Sequence, residues 1–149
     1  MNKFIILSFF LIVSCGYQPI YVNKNLTEKE YYKITLEGDE NINKKIINSL
    51  SLKVNEFDNN LNSLSLKTSF EESVTSKNSK GQIESYKSQI TLNLIISKKE
   101  KNILNKTFIE QFSYSNKDNK FELVNYQEEV KDNLINKIIE DVILHINLK

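Results

Sequence analysis

The sequence predicts an α+β fold, with two helices packed on one face of a four-stranded mixed sheet. Three observations predict it. Two stretches carry apolar residues every three or four positions, the spacing of a helix with one buried stripe. Four others are β-rich, and three of these alternate apolar with polar residues, the period of a strand with one dry face. Their order, β-α-β-β-β-α, suits a two-layer sandwich in which the β-α-β start crosses over right-handed.

The chain opens on Lys3, then the apolar run Phe4–Val13, then Ser14 and the only cysteine, Cys15. A basic residue, an apolar segment and a small residue at the cut describe a secretory signal peptide. The apolar run is about half of what a membrane-spanning helix needs. Ile12-Val13-Ser14-Cys15 resembles a bacterial lipobox. That resemblance implies cleavage between Ser14 and Cys15 and acylation of the Cys15 thiol and its new amino group. Two or three acyl chains hold a protein on a membrane stably, whereas one does not. A lone cysteine makes no intramolecular disulfide, and lipidation gives it a use in an exported chain. Residue 16 is Gly rather than Asp, which by the lipoprotein sorting rule points to the outer membrane.

Residues 1–14 are thus expected as leader, 15–30 as a lipidated tether and 31–149 as one domain. The tether holds the only Pro and shows no periodicity. Tyr31–Leu36 is β-branched and aromatic and stops at Gly38, so it reads as the first strand. Asp39 caps a helix over 39–56, with Ile42, Ile46, Ile47, Leu50, Val54 and Phe57 on one stripe. In the next strand Leu64, Leu66, Thr68 and Phe70 alternate with Ser63, Ser65, Lys67 and Ser69. After the loop 76–81, Tyr86, Ser88, Ile90, Leu92, Leu94 and Ile96 alternate with Lys87, Gln89, Thr91 and Asn93. Past the turn 98–102, Leu104, Lys106, Phe108, Glu110, Phe112 and Tyr114 form the last alternating set. The last two strands run about 12–15 residues, or roughly 40–50 Å, long for a domain this small. Much of the second sheet face is Ser, Thr, Asn, Gln and Lys, so only one face packs on helices. The second helix covers 121–147, with Tyr126, Val130, Leu134, Ile138, Val142 and Ile146 stepping by four.

Composition narrows the function. Without Lys3 the remaining chain, about 135 residues, carries equal numbers of Lys and acidic side chains, so a nucleic-acid partner is not expected. There is no Arg, and any phosphate is met by ammonium point charges rather than guanidinium forks. No two carboxylates stand apart from a charged helical face for acid–base work. The three glycines are isolated, so there is no phosphate-cradling loop. His145 lacks neighbours for a metal or a triad. The expectation is no enzyme and no cofactor.

The lipobox cysteine, the mature start Cys15-Gly16-Tyr17-Gln18-Pro19-Ile20-Tyr21 and the order β-α-β-β-β-α together resemble the LPS-assembly lipoprotein family (LptE) of α-proteobacterial type. Its members often begin Cys-Gly-Phe-x-Pro-Leu-Tyr. The order of elements matches over the whole chain, the letters only over 15–21; the chain departs in lacking the family's Arg and in being poor in Ala. The resemblance implies a non-enzymatic outer-membrane lipoprotein that sits in the lumen of the β-barrel LptD, helps it fold, plugs it and contacts lipopolysaccharide. A wet lumen suits a plug with a polar outer face and a dry core. Candidate phosphate contacts are Lys77 and Lys80 on one loop, and Lys98, Lys99 and Lys101 on the next. In a meander these loops lie at opposite ends of the sheet, so at most one meets the lipid. The plainer reading is that turn lysines keep strand edges apart, and it weighs more heavily for Lys44, Lys45, Lys117 and Lys120. Tyr17, Pro19 and Tyr21 are candidate barrel contacts near the membrane interface, or part of a tether that tucks onto its own domain. Two other functions stay open: a pilotin-like adaptor that escorts a secretion pore, and a periplasmic ligand-binding or inhibitor module, which would need a concave apolar pocket.

Overall fold

The computed structural model describes residues 29–147. In chain order the elements are β1 (Glu30–Tyr31), β2 (Lys33–Gly38), α1 (Glu40–Leu50), β3 (Lys53–Val54), β4 (Ser63–Lys77), β5 (Ile83–Lys98), β6 (Lys101–Ser115) and α2 (Lys120–Asn147). The main sheet has the order β2-β4-β5-β6, with β2 parallel to β4 and the other pairs antiparallel. The fold is α+β, two helices on a four-stranded mixed sheet.

Strand register converts alternation into layers. Ile34, Leu64, Ile96 and Leu104 form one row across the sheet, and Leu36, Leu66, Leu94 and Lys106 the next. Leu66, Ile90, Leu92 and Leu94 have no exposed surface, and each contributes about 1.5–3 kcal/mol by leaving water. Helix α2 meets them with Val130, Leu134, Ile135, Ile138, Ile139 and Val142, and α1 with Ile42, Ile46 and Leu50. The 28 residues of α2 span about 42 Å at 1.5 Å per residue, which matches strands of 15 and 16 residues.

Helix α1 is shorter than its apolar stripe suggests. Asp39 is its N-cap, with its Oδ1 accepting from the Ile42 amide at 3.0 Å. The helix stops at Leu50, and Ser51 takes a left-handed φ of 50°. Beyond it Val54 is half-exposed and Phe57 is 99% exposed, so neither extends the buried stripe. Length matching explains this. The six residues of β2 cover about 20 Å and the eleven of α1 about 16 Å. Six more helical residues would overshoot the strand by about 6 Å. The chain instead turns back, and Lys53–Val54 pairs in parallel with Glu30–Tyr31. This small pair, β1 with β3, escaped periodicity because two residues have none. It also draws the chain at Lys29 onto the domain, where the Lys29 ammonium donates to the Ile146 carbonyl at 2.9 Å, a favourable charge for a helix C-terminus.

The corner between β2 and α1 is held by polar groups. Gly38 has φ +89°, and a Cβ there would lie 1.8 Å from the Thr68 carbonyl oxygen. Asn43, buried, donates its amide to the Glu37 carbonyl at 2.9 Å and faces the Thr68 hydroxyl at 3.1 Å. Across the helix layer Lys45 pairs with Asp132 at 2.5 Å. Lys131 lies 4.7 Å over the Phe70 ring and 3.8 Å from Asp39.

Candidate partner-binding face

With both helices on one side, no described element covers the opposite face of the sheet. Its rows are Thr35-Ser65-Ile95-Asn105, Glu37-Lys67-Asn93-Thr107, Ser69-Thr91-Ile109, Glu71-Gln89-Gln111 and Ser73-Lys87-Ser113. In these rows only Ile95 and Ile109 are apolar; most of the rest are hydroxyls and amides. The central positions Gln89, Thr91 and Asn93 are half-buried by their neighbours. The Asn93 amide donates to Asn105 Oδ1 at 3.3 Å and to Thr107 Oγ1 at 3.1 Å, and Lys67 lies 3.7 Å from Glu37. Such a face offers many donors and acceptors at strand spacing and little charge. It suits a wet, hydrogen-bonded contact rather than a dry one.

The lysines expected at phosphates sit at the two ends of this face. Lys77 ends β4 beside the loop 78–82 and Lys80 lies within it; Asn78 Oδ1 accepts from the amides of Lys80 and Gln82 at 2.9 and 3.0 Å. Strand β4 runs up to Lys77, so this loop is tighter than the expected 76–81. Lys98, Lys99 and Lys101 surround the far hairpin, where Lys99 and Glu100 have φ of 47° and 66°. All five are exposed, and the two groups lie at opposite ends of β5, so the structure does not bring them together. Lys44 pairs with Glu40 at 2.6 Å and holds the Glu40 carboxyl below its usual range. Lys117 lies 4.5 Å over Tyr126, and Lys120 opens α2. Ser14, Cys15, Tyr17, Pro19 and Tyr21 lie outside the described residues.

At the β4–β5 hairpin end, on the helix side, the structure adds a cluster that sequence reasoning missed. The Tyr114 hydroxyl donates to Glu72 Oε2 at 2.8 Å and lies 3.1 Å from the fully buried Ser88 Oγ. Gln127 of α2 donates to Glu72 Oε1 at 2.8 Å. Tyr114 stacks on Tyr86 and meets Tyr126 edge-on. Burial pushes the Tyr114 hydroxyl above its usual value, and Glu72 adds to the shift. The available signal was Glu72 and Ser88 standing at apolar-phase positions. The carboxylate and phenol are satisfied by each other and by α2, which marks a structural fastening rather than a reactive site.

A shallow groove of about 390 Å³ runs between β6 and the end of α2, lined by Lys106, Phe108, Ile109, Asp141, Leu144 and His145 among others. The His145 ring packs edge-on against Phe108, and its Nε2 is buried without a hydrogen-bond partner. Among the described residues no group of His, Cys, Asp and Glu is placed to hold a metal. Among them no helix is long and apolar enough to cross a membrane.

No protein-family model matches the sequence, and no curated protein matches it. Solved structures do share the fold. Rare lipoprotein B from Shewanella oneidensis superposes with a TM-score of 0.59 at 12% identity, over 77% of this chain and 93% of that one. A lipoprotein B from Nitrosomonas europaea gives 0.58 at 8% identity, over 81% and 85%. A minor lipoprotein from Acinetobacter baumannii gives 0.54 at 16% identity, over 75% and 87%. At such identities the likeness is one of fold: this chain folds like bacterial lipoproteins.

Proposed function

We propose that the protein is an outer-membrane lipoprotein, anchored through Cys15, that assembles with an LptD-like β-barrel and takes part in lipopolysaccharide transport. The open sheet face carries this reading. A solvated sheet face is ordinarily polar too; what favours a wet barrel lumen is that this face is mostly neutral hydroxyls and amides, with few charges to desolvate. The long strands and the matching α2 make an elongated body that suits a cylinder. The lipobox-like Ile12–Cys15 and the start Cys15–Tyr21 support the address, and the fold shared with bacterial lipoproteins supports the class. The groove beside His145 is too shallow to favour a ligand-binding module.

The test is a pull-down of the tagged full chain from detergent-solubilised envelopes, followed by mass spectrometry. Recovery of a large outer-membrane barrel in stoichiometric amount is the expected result. Recovery of a secretion pore would favour the adaptor reading, and recovery of no barrel would discard the proposal. Mass spectrometry of the mature chain adds a second check: Cys15 should be N-terminal and acylated.

A further inference from the structure

We propose that the free edge of β6 pairs with the same edge of a second copy, antiparallel about a two-fold axis at Phe108. Three observations meet there. First, among the described residues β6 is a sheet edge of 15 residues, and its pairing with β5 is unbroken from Leu104 to Ser115. It has no Pro and no bulge over that span, and apart from Lys101 at the turn its only charges are Lys106 and Glu110. An edge with no Pro, no bulge and so few charges is a template for another strand. Beyond Thr68, where its pairing with β2 ends, β4 is an edge too, but irregular register at Val74, Ser76 and Lys77 kinks it.

Second, the β6 sequence complements itself in this register. With Phe108 opposite Phe108, Lys106 faces Glu110, Leu104 faces Phe112, Asn105 faces Gln111, Thr107 faces Ile109, and Lys101 faces Ser115. No like charges meet. Lys106 is exposed and Glu110 half-exposed, and neither has an ion-pair partner among the described residues. The two-fold supplies one to each, twice. Moving the axis to either neighbouring residue breaks both pairs.

Third, exposed apolar side chains gather around the same point. Leu144, 60% exposed, lines the groove that Phe108 floors, and Ile109, 56% exposed, borders the same strand edge from the open face. Helix α2 packs over β5 and β6. A two-fold perpendicular to the sheet keeps both α2 helices on one side, about two strand spacings or 10 Å apart, which is a normal helix-packing distance. Each copy then covers the other's groove, an isologous contact that closes at two. This pairing goes beyond the barrel reading: a single body is what fits the lumen, so the dimer is the form of copies not seated in a barrel.

The experiment is sedimentation equilibrium of the full chain in density-matched detergent, with Lys106→Glu, Glu110→Lys and the double reversal. The wild type should sediment as a reversible dimer. Each single reversal places like charges opposite each other twice and should weaken dimerisation by at least about tenfold. The double reversal should restore it, with far-UV circular dichroism unchanged throughout. A wild-type monomer at about 100 µM would overturn the proposal, as would single reversals that leave the mass unchanged or a double reversal that fails to recover it. Hydrogen exchange gives a reading without any substitution: amides between Leu104 and Phe112 should exchange more slowly as concentration rises, and a concentration-independent rate would also overturn the pairing.

Discussion

Replacing Gly38 by Ala tests how the sheet acquires one covered and one open face. Gly38 ends β2 at φ +89° and sits in register with Thr68. A methyl there would lie 1.8 Å from the Thr68 carbonyl oxygen, far inside the roughly 3.5 Å of a comfortable contact. The obstacle is backbone, so relief requires β2 and β4 to part. Parting them weakens the Asp39 amide bond to Thr68 O, 3.2 Å, and lifts the α1 N-terminus from the sheet. Left-handed strain costs about 1–2 kcal/mol, the loosened hydrogen bonds about 1 kcal/mol each, and the overpacked corner about 1–3 kcal/mol. The stiffer unfolded chain returns about 0.4–1 kcal/mol. The expected loss is about 4 kcal/mol, a large share of a stability of about 5–15 kcal/mol. Gly81 is the control. Its φ is +78°, and a Cβ there meets nothing within 4 Å, so Gly81→Ala carries the strain alone, about 1 kcal/mol. In urea, the Gly38→Ala midpoint should fall by about 2–3 M and the Gly81→Ala midpoint by about 0.5 M. Equal shifts for the two variants would refute the claim that close approach to Thr68, rather than backbone conformation, governs the corner.

Three further outcomes are expected. Lys99 and Glu100 occupy two positive-φ positions of a tight hairpin that favours Asn-Gly, so the double change Lys99→Asn, Glu100→Gly should raise unfolding stability by about 1 kcal/mol, read by urea titration. Tyr114→Phe should cost about 1 kcal/mol near neutral pH, because Ser88 and Glu72 lose a partner. Burial raises the folded-state value of the Tyr114 hydroxyl above 10.0, so its stabilising effect is complete below pH 10 and is lost as pH climbs through the raised value. Tyr31 is raised by burial in the same direction, so the variant should flatten the alkaline loss of stability without abolishing it. Thr91→Lys, at the centre of the open face, should reduce barrel recovery in the pull-down about tenfold while changing unfolding stability by less than about 1 kcal/mol. Unchanged recovery would remove the open face from the proposed contact.

Most of the fold was legible because it is written in periods. The alternation around Leu64–Phe70, Tyr86–Ile96 and Leu104–Tyr114 identified the three long strands and the side of each that goes dry. The four-residue steps from Tyr126 to Ile146 located α2 almost to the residue. The polar face of the sheet followed from the same alternation. The reading of Ile12–Cys15 as an anchor rests on a local motif and needs no fold. Periodicity misled at Val54 and Phe57, which continue the α1 stripe in sequence and leave it in space.

What sequence alone determined is which face of each element is apolar, since that depends on neighbours along the chain. Tertiary structure decided where elements stop and what they touch. Helix α1 ends when it has matched the length of β2, and β3 exists because the returning chain finds Glu30–Tyr31 to pair with. Glu72 is tolerated on the helix side because Tyr114 and Gln127 arrive from 42 and 55 residues away. The free edge of β6 follows from the sheet having four strands in this order. Each is a matter of length, reach or pairing between distant segments, and local pattern carries no record of distance.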